Sequence, residues 1–233
     1  MKFFDQLETA TVNGRKYVMD APLVSQSQRG SITLPLYVAY LCQAYHHVRH
    51  TVPLLMATGA RLPADKEWLR TAVAEYIEEE IGHEQWILRD IEACGYAADI
   101  VEHVLPNLAT ELLVAYAYDT IQRVNPLGFF GMVHVLEGTS IAVADKAATG
   151  IQMALGLPDK AFSYLRSHGA LDQEHVKFFQ SLMNQIDDQD EQQLIVHHAQ
   201  VFYRLFGDVL RDVAADQVQN LPRTDRGEAS HAA

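Results

Sequence analysis

The chain has 233 residues, 48% hydrophobic and 21% charged, with a formal net charge of -12. That length suits one domain or a large single bundle with ample chain to bury a core, and the composition excludes a disordered protein. The acidic excess, with no basic stripe to offset it, excludes nucleic acid as the expected partner.

No apolar run reaches the roughly 18 residues of a membrane span, and the start MKFFDQLETATVNGRKY lacks a signal-peptide apolar stretch, so a cytoplasmic protein with no membrane partner is expected. Cys42 and Cys94 fit a reducing compartment and form no CxxC.

Residues 1–30, punctuated by Gly14, Pro22 and Gly30, read as an N-terminal arm, extended or irregularly helical. A helical pattern follows from about Thr33 to His50, carried by Leu34, Leu36, Val38, Leu41 and Tyr45. Pro53 and Gly59 are read as breaks. A second long pattern opens near Asp65 and runs through Trp68, Val73, Ile77, Ile81 and Leu88 to a stop at Cys94-Gly95. Further helices are predicted over about 107–123, 129–149 ending at Gly150, 158–186 and 189–215. The expectation is an all-α bundle of about seven helices spanning residues 31–217, followed by a small polar tail, 218–233, expected to be disordered. There is no strand alternation and no internal repeat.

Acid and imidazole groups recur at helical spacing in three places: Glu79-Glu80-x-x-His83, Glu137, and His168-x3-Asp172-x2-His175. Residues three and four apart share a helix face. An acid three residues before a histidine also occurs at Glu228/His231, and the composition alone would supply one or two such pairs. Context separates the first two from accident, because they lie inside long amphipathic patterns. The bland readings are that any single histidine is solvated or structural and that Glu78-Glu79-Glu80 is a solvated face. Glu137 resists this best: a lone carboxylate in GMVHVLEGTSIAVA demands a cation, a hydrogen-bond network or a metal. Imidazoles mixed with carboxylates suit iron and leave open positions for O2.

The run EYIEEEIGHEQWILRDIEACG, the Glu137-Gly138 segment and His168-x3-Asp172-x2-His175 together resemble the haem-oxygenase-like fold, and within it the di-iron oxidases also described as iron-containing redox enzymes. The resemblance covers roughly residues 30–215 and implies a ligand set of Glu80, His83, Glu137, His168, Asp172 and His175 holding two Fe(II) per chain. Glu80, Glu137 and Asp172 are then also its catalytic carboxylates. Many members place the first acid seven residues before the histidine, where this chain has Tyr76; Glu80, at three before, is favoured here, with Glu79 the alternative.

The resemblance implies an oxidase or oxygenase that uses O2 on a small organic substrate. Asp145, Tyr116 and Tyr118 are weighed as groups that orient the ligands, with ordinary core tyrosines the favoured reading of the last two, and His46, His47 and His50 as structural or substrate-contacting. The rival readings are a TenA-like thiaminase-type hydrolase, a cofactor-independent oxidase of the PqqC type, and a non-catalytic binder with a degenerate site. The hydrolase would want a mid-chain cysteine, which residues 129–149 lack. A homodimer is expected from the apolar helices.

Overall fold

The computed structural model describes residues 1–224, with the side chains of 168–174 excepted. The expected all-α architecture holds. In chain order the helices are α1 (Phe3–Ala10), α2 (Val12–Met19), α3 (Pro22–Gln28), α4 (Leu34–Val48), α5 (Thr51–Arg61), α6 (Glu67–Glu80), α7 (His83–Ala93), α8 (Leu108–Asp119), α9 (Phe129–Leu155), α10 (Ser163–Met183) and α11 (Gln189–Asp212). Short 3-10 turns and a π-turn at Thr120–Val124 join them. Extended pairing among the described residues is limited to one isolated bridge between Tyr96 and Arg223. Of the tail expected to be disordered, residues 225–233 lie outside the described residues.

The elements outnumber the expected seven for local reasons. Residues 3–28 fold into three short helices laid on the bundle. Tyr17 donates its hydroxyl to Asp208 Oδ1 at 2.5 Å, and the Arg211 guanidinium lies 3.7 Å from the Tyr17 ring centroid, tying α2 to α11. Pro53 does not break its segment, because it falls in the first turn of α5, where the missing N–H has no helical partner to lose. The pattern expected to run unbroken from Asp65 to Gly95 is interrupted instead at Ile81-Gly82. Gly82 takes φ +89°, a left-handed conformation that glycine alone adopts without strain, so α6 ends at Glu80 and α7 starts at His83.

Gly59 and Gly150 behave in the opposite way, staying inside helices to allow close packing. A Cβ on Gly59 would lie 3.2 Å from Val73 Cγ1, and one on Gly150 would lie 2.3 Å from Ser27 O. α9 therefore continues past Gly150 to Leu155 and stops at Gly156, φ +63°.

α9 is the spine. It packs against α3, α10 and α11, and its first turns, Phe129–Val135, are buried on every side, as in a core helix. The segment Pro126–Leu155 is long and apolar enough to cross a membrane by length and composition, contrary to the expectation that no such run exists, but 61% of that apolar window is buried inside the protein.

The starts of α8 and α11 are fixed by side chains: Asn107 Oδ1 accepts from Thr110 N at 2.8 Å, and Asp188 Oδ1 from Asp190 N at 2.8 Å. α10 has no local cap of this kind. Buried Asp90, from α7, supplies it by accepting from Ser163 N at 3.0 Å, Tyr164 N at 2.9 Å and the Ser163 hydroxyl.

Candidate metal centre

Four helices meet where the sequence placed its acids and imidazoles. Glu79 and Glu80 close α6, His83 opens α7, Glu137 lies about a third of the way along α9, and His175 projects from α10. Glu80 Oε2 lies 3.0 Å from His83 Nδ1. His175 sits between two carboxylates, its Nε2 2.8 Å from Glu79 Oε2 and its Nδ1 4.0 Å from Glu137 Oε1. The imidazoles are 4% and 7% exposed and the carboxylates of Glu80 and Glu137 14% and 12%, whereas Glu79 is half exposed. Carboxylates this buried need a counter-charge or donors.

His83 also stacks on Trp86 with ring centroids 3.9 Å apart, which fixes its plane. Tyr76, one turn before Glu79 and Glu80, is 2% exposed and sits with its ring 6.0 Å from that of His175. Burial, reinforced by the charge of Glu137, pushes its hydroxyl well above the ordinary tyrosine range, so it stays protonated.

His168 and Asp172 are on α10, two turns and one turn before His175 in a continuous helix, but their side chains lie outside the described residues. Without them, no three His, Cys, Asp or Glu side chains among the described residues already form a closed metal cage. What the structure brings together is Glu79, Glu80, His83, Glu137 and His175. The donor chemistry fits a hard-to-borderline cation such as ferrous iron: oxygen and imidazole nitrogen, no thiolate.

An apolar cavity of about 150 Å³ opens beside this group. Glu80, Glu137 and Tyr76 line it, together with His47, Thr139 and Ser140, and the rest of the wall is aliphatic and aromatic, including Leu54, Leu55, Phe129, Met132 and Phe206. One water needs about 10–15 Å³ on such a measure, so the space has room for more than a single solvent molecule.

The remaining sequence candidates fall elsewhere. Asp145 is exposed. Tyr116 shares a hydrogen bond with His198 Nδ1 at 2.7 Å and Tyr118 with His50 Nδ1 at 3.1 Å, so neither orients the centre. Of the histidine cluster, only His47 reaches the cavity, with Nδ1 held 3.0 Å from Gln43 O, while His46 and His50 face a separate surface pocket. Cys42 and Cys94 are buried away from the cavity lining, and burial pushes the Cys42 thiol up to about 12.

Two buried groups escaped the sequence reading. His134, one turn before Glu137, is 3% exposed, lies 3.1 Å from Thr11 Oγ1 and 3.6 Å from Glu8 Oε1, and is held down to about 3 by burial and then by the charge of Arg15. Its position in the same apolar run as Glu137 was the available signal. Asp90 was the other, and nothing in the spacing ties it to Ser163, 73 residues away.

The bundle has the architecture of haem-oxygenase-like proteins. A domain of unknown function from Shewanella denitrificans OS217, described as having a heme oxygenase-like fold, superposes with a TM-score of 0.80 at 22% identity, covering 91% of this chain and 92% of that one. A TenA homologue from Pseudomonas syringae pv. tomato DC3000 follows at 0.74 and 13%, over 89% and 90%, and the haem oxygenase of Leptospira interrogans at 0.71 and 14%, over 91% and 99%. At these identities the likeness is one of fold. None of the curated proteins matches the chain. Residues 38–207 match the iron-containing redox enzymes, and the chain belongs to that family.

Proposed function

We propose that this protein is a non-haem, iron-dependent oxidase or oxygenase that uses O2 on a small organic substrate held in the α9 cavity. The observation that carries the reading is the shared position of Glu80 and Glu137: both line the apolar cavity, and both lie within reach of a buried imidazole, His83 at 3.0 Å and His175 at 4.0 Å. Two Fe(II) per chain would be held by Glu80, His83, Glu137 and His175, with His168 and Asp172 of α10 completing the set and Glu79 as the alternative first acid.

Bound iron would supply the electron steps that let O2 react with an organic molecule. The chain's own residues do the rest. Glu80 and Glu137 offset the cationic charge on the cavity side, and Glu79 fixes the plane of His175 from behind at 2.8 Å. Tyr76 keeps a proton beside Glu137 at neutral pH. The aliphatic wall excludes bulk water from the space between them. A thiaminase-type reading is disfavoured because neither cysteine lines the cavity.

Anaerobic titration with Fe(II), followed by metal analysis and O2 uptake, tests the proposal. Two irons retained per chain, lost together with O2 uptake in Glu80→Gln and Glu137→Gln, is the expected result. Retention below one iron, or retention indifferent to both substitutions, overturns it. O2 uptake by the metal-free chain would instead mark the cofactor-independent oxidase.

A further inference from the structure

The cavity does not end at the carboxylates. Its lining continues along one face of α9 through Ser140, Val143, Ala144, Ala147 and Ile151, spaced as a single helical stripe requires. From Glu137 to Ile151 the stripe runs about 21 Å, at about 1.5 Å per residue. Facing it are Leu23 and Val24 of α3 and Ile32 just beyond.

This arm differs in chemistry from the centre. Beyond Ser140 the α9 stripe carries no hydrogen-bonding side chain, and Ser27 across from it donates its hydroxyl to Val24 O at 2.9 Å. A polar substituent carried into the arm would shed its water and find no partner on the α9 stripe; hydroxyls elsewhere in the lining remain on Tyr40 and Tyr164. Nor is α3 a loose wall. The 2.3 Å that would separate a Gly150 Cβ from Ser27 O, and the 3.2 Å between a Gly30 Cβ and Gly150 O, show the two backbones in direct contact, with Gly30 at φ +66° turning the chain away. With both backbones seated, the room in the arm is set by side-chain size, and α9 contributes two alanines there.

We infer that this arm takes an extended, unbranched apolar chain carried by the substrate, and that Ala144 and Ala147 of α9 with Val24 of α3 set the length that fits. The inference rests on the proposed function only in taking the carboxylate end as the reacting end. A chain lying along α9 places its near end beside Glu137 and its far end against Ile151, so substrates of one head group are sorted by length.

The test uses iron-free protein and straight-chain 1-alkanols from hexanol to decanol, which share one hydroxyl head and differ only in chain length, with affinities read by calorimetric titration. In the natural chain affinity is expected to rise about fourfold per added methylene. Ala147→Phe and Val24→Phe, which fill the arm from opposite walls, are expected to bind hexanol as before and to stop gaining affinity at a shorter chain. Helical circular dichroism checks that each is folded, and Ala147→Val serves where the phenylalanine is not tolerated. A flat series in the natural chain, or folded variants that follow the natural series through decanol, overturns the inference. Because binding is read without iron, the two readings fail separately: loss of iron retention with an intact series removes only the oxidase, and a flat series with intact O2 uptake removes only the length selection.

Discussion

Glu137 stands inside a 27-residue helix whose preceding turns are buried all round, while Glu80 and His83 stand on either side of a two-residue break. On the α9 side the carboxylate is placed by packing: His134 one turn earlier is wedged against Phe179, and Gly150 further on presses against the α3 backbone. On the α6–α7 side, Ile81 is 64% exposed and nothing lies within 4 Å of a Cβ at Gly82. One half of the centre is therefore fixed by the core and the other by a short turn with space around it. Under the proposed function, a ligand that shifts as its ion changes charge is more easily accommodated at the turn.

The largest expected effect breaks the packed half directly. Glu137→Gln should weaken iron retention at least about 100-fold, more than the 10–100-fold typical of outer partners, as read by equilibrium dialysis of Fe(II). In the iron-free chain the same change should leave the melting temperature unchanged or raised, since it removes a buried charge. A lowered melting temperature would mean that Glu137 is chiefly structural.

Gly150→Val should cost about 2–3 kcal/mol, measured by urea unfolding, because the new side chain cannot coexist with Ser27 O and α3 must lift from α9. The pH dependence follows from His134 on the same helix. Its imidazole is held at about 3, against 6.5 in the unfolded chain, so between those values the unfolded state takes up a proton that the folded state refuses. Stability is full above pH 6.5 and falls as pH drops, by about 1.5 kcal/mol between pH 6.5 and 5 from this residue alone. His134→Gln should flatten that slope in chemical unfolding curves.

Gly82→Ala, on the turn side, should cost only about 1 kcal/mol from its left-handed backbone. Its sharper signature is local: the stacking of His83 on Trp86 should change, shifting tryptophan fluorescence, while unfolding changes little. If instead it destabilises as much as Gly150→Val, the contrast between the two halves is wrong.

The all-α class and the positions of most helices were legible because apolar residues recur at helical period through most of the chain, and the acid and imidazole groups stood out because Glu80 and His83 recur at helical spacing and Glu137 lies in an apolar run. Glycine was where the reading failed. Gly59 and Gly150 read as stops and are contacts, while Gly82, unremarked in a long amphipathic pattern, is the true break. The difference is tertiary: a glycine's sequence neighbours do not reveal whether another backbone arrives at its bare face. For the same reason the role of Glu79 stayed open, since its 2.8 Å approach to His175 joins α6 to α10 across 96 positions of chain.

Asp90 gives the centre a property that neither imidazole has alone. The helix that presents His83 at its first residue also grips the opening turn of the helix that presents His175, through two backbone amides and a hydroxyl. The two helices that carry these imidazoles are thereby joined end to side by a buried carboxylate, a tie that does not pass through α9.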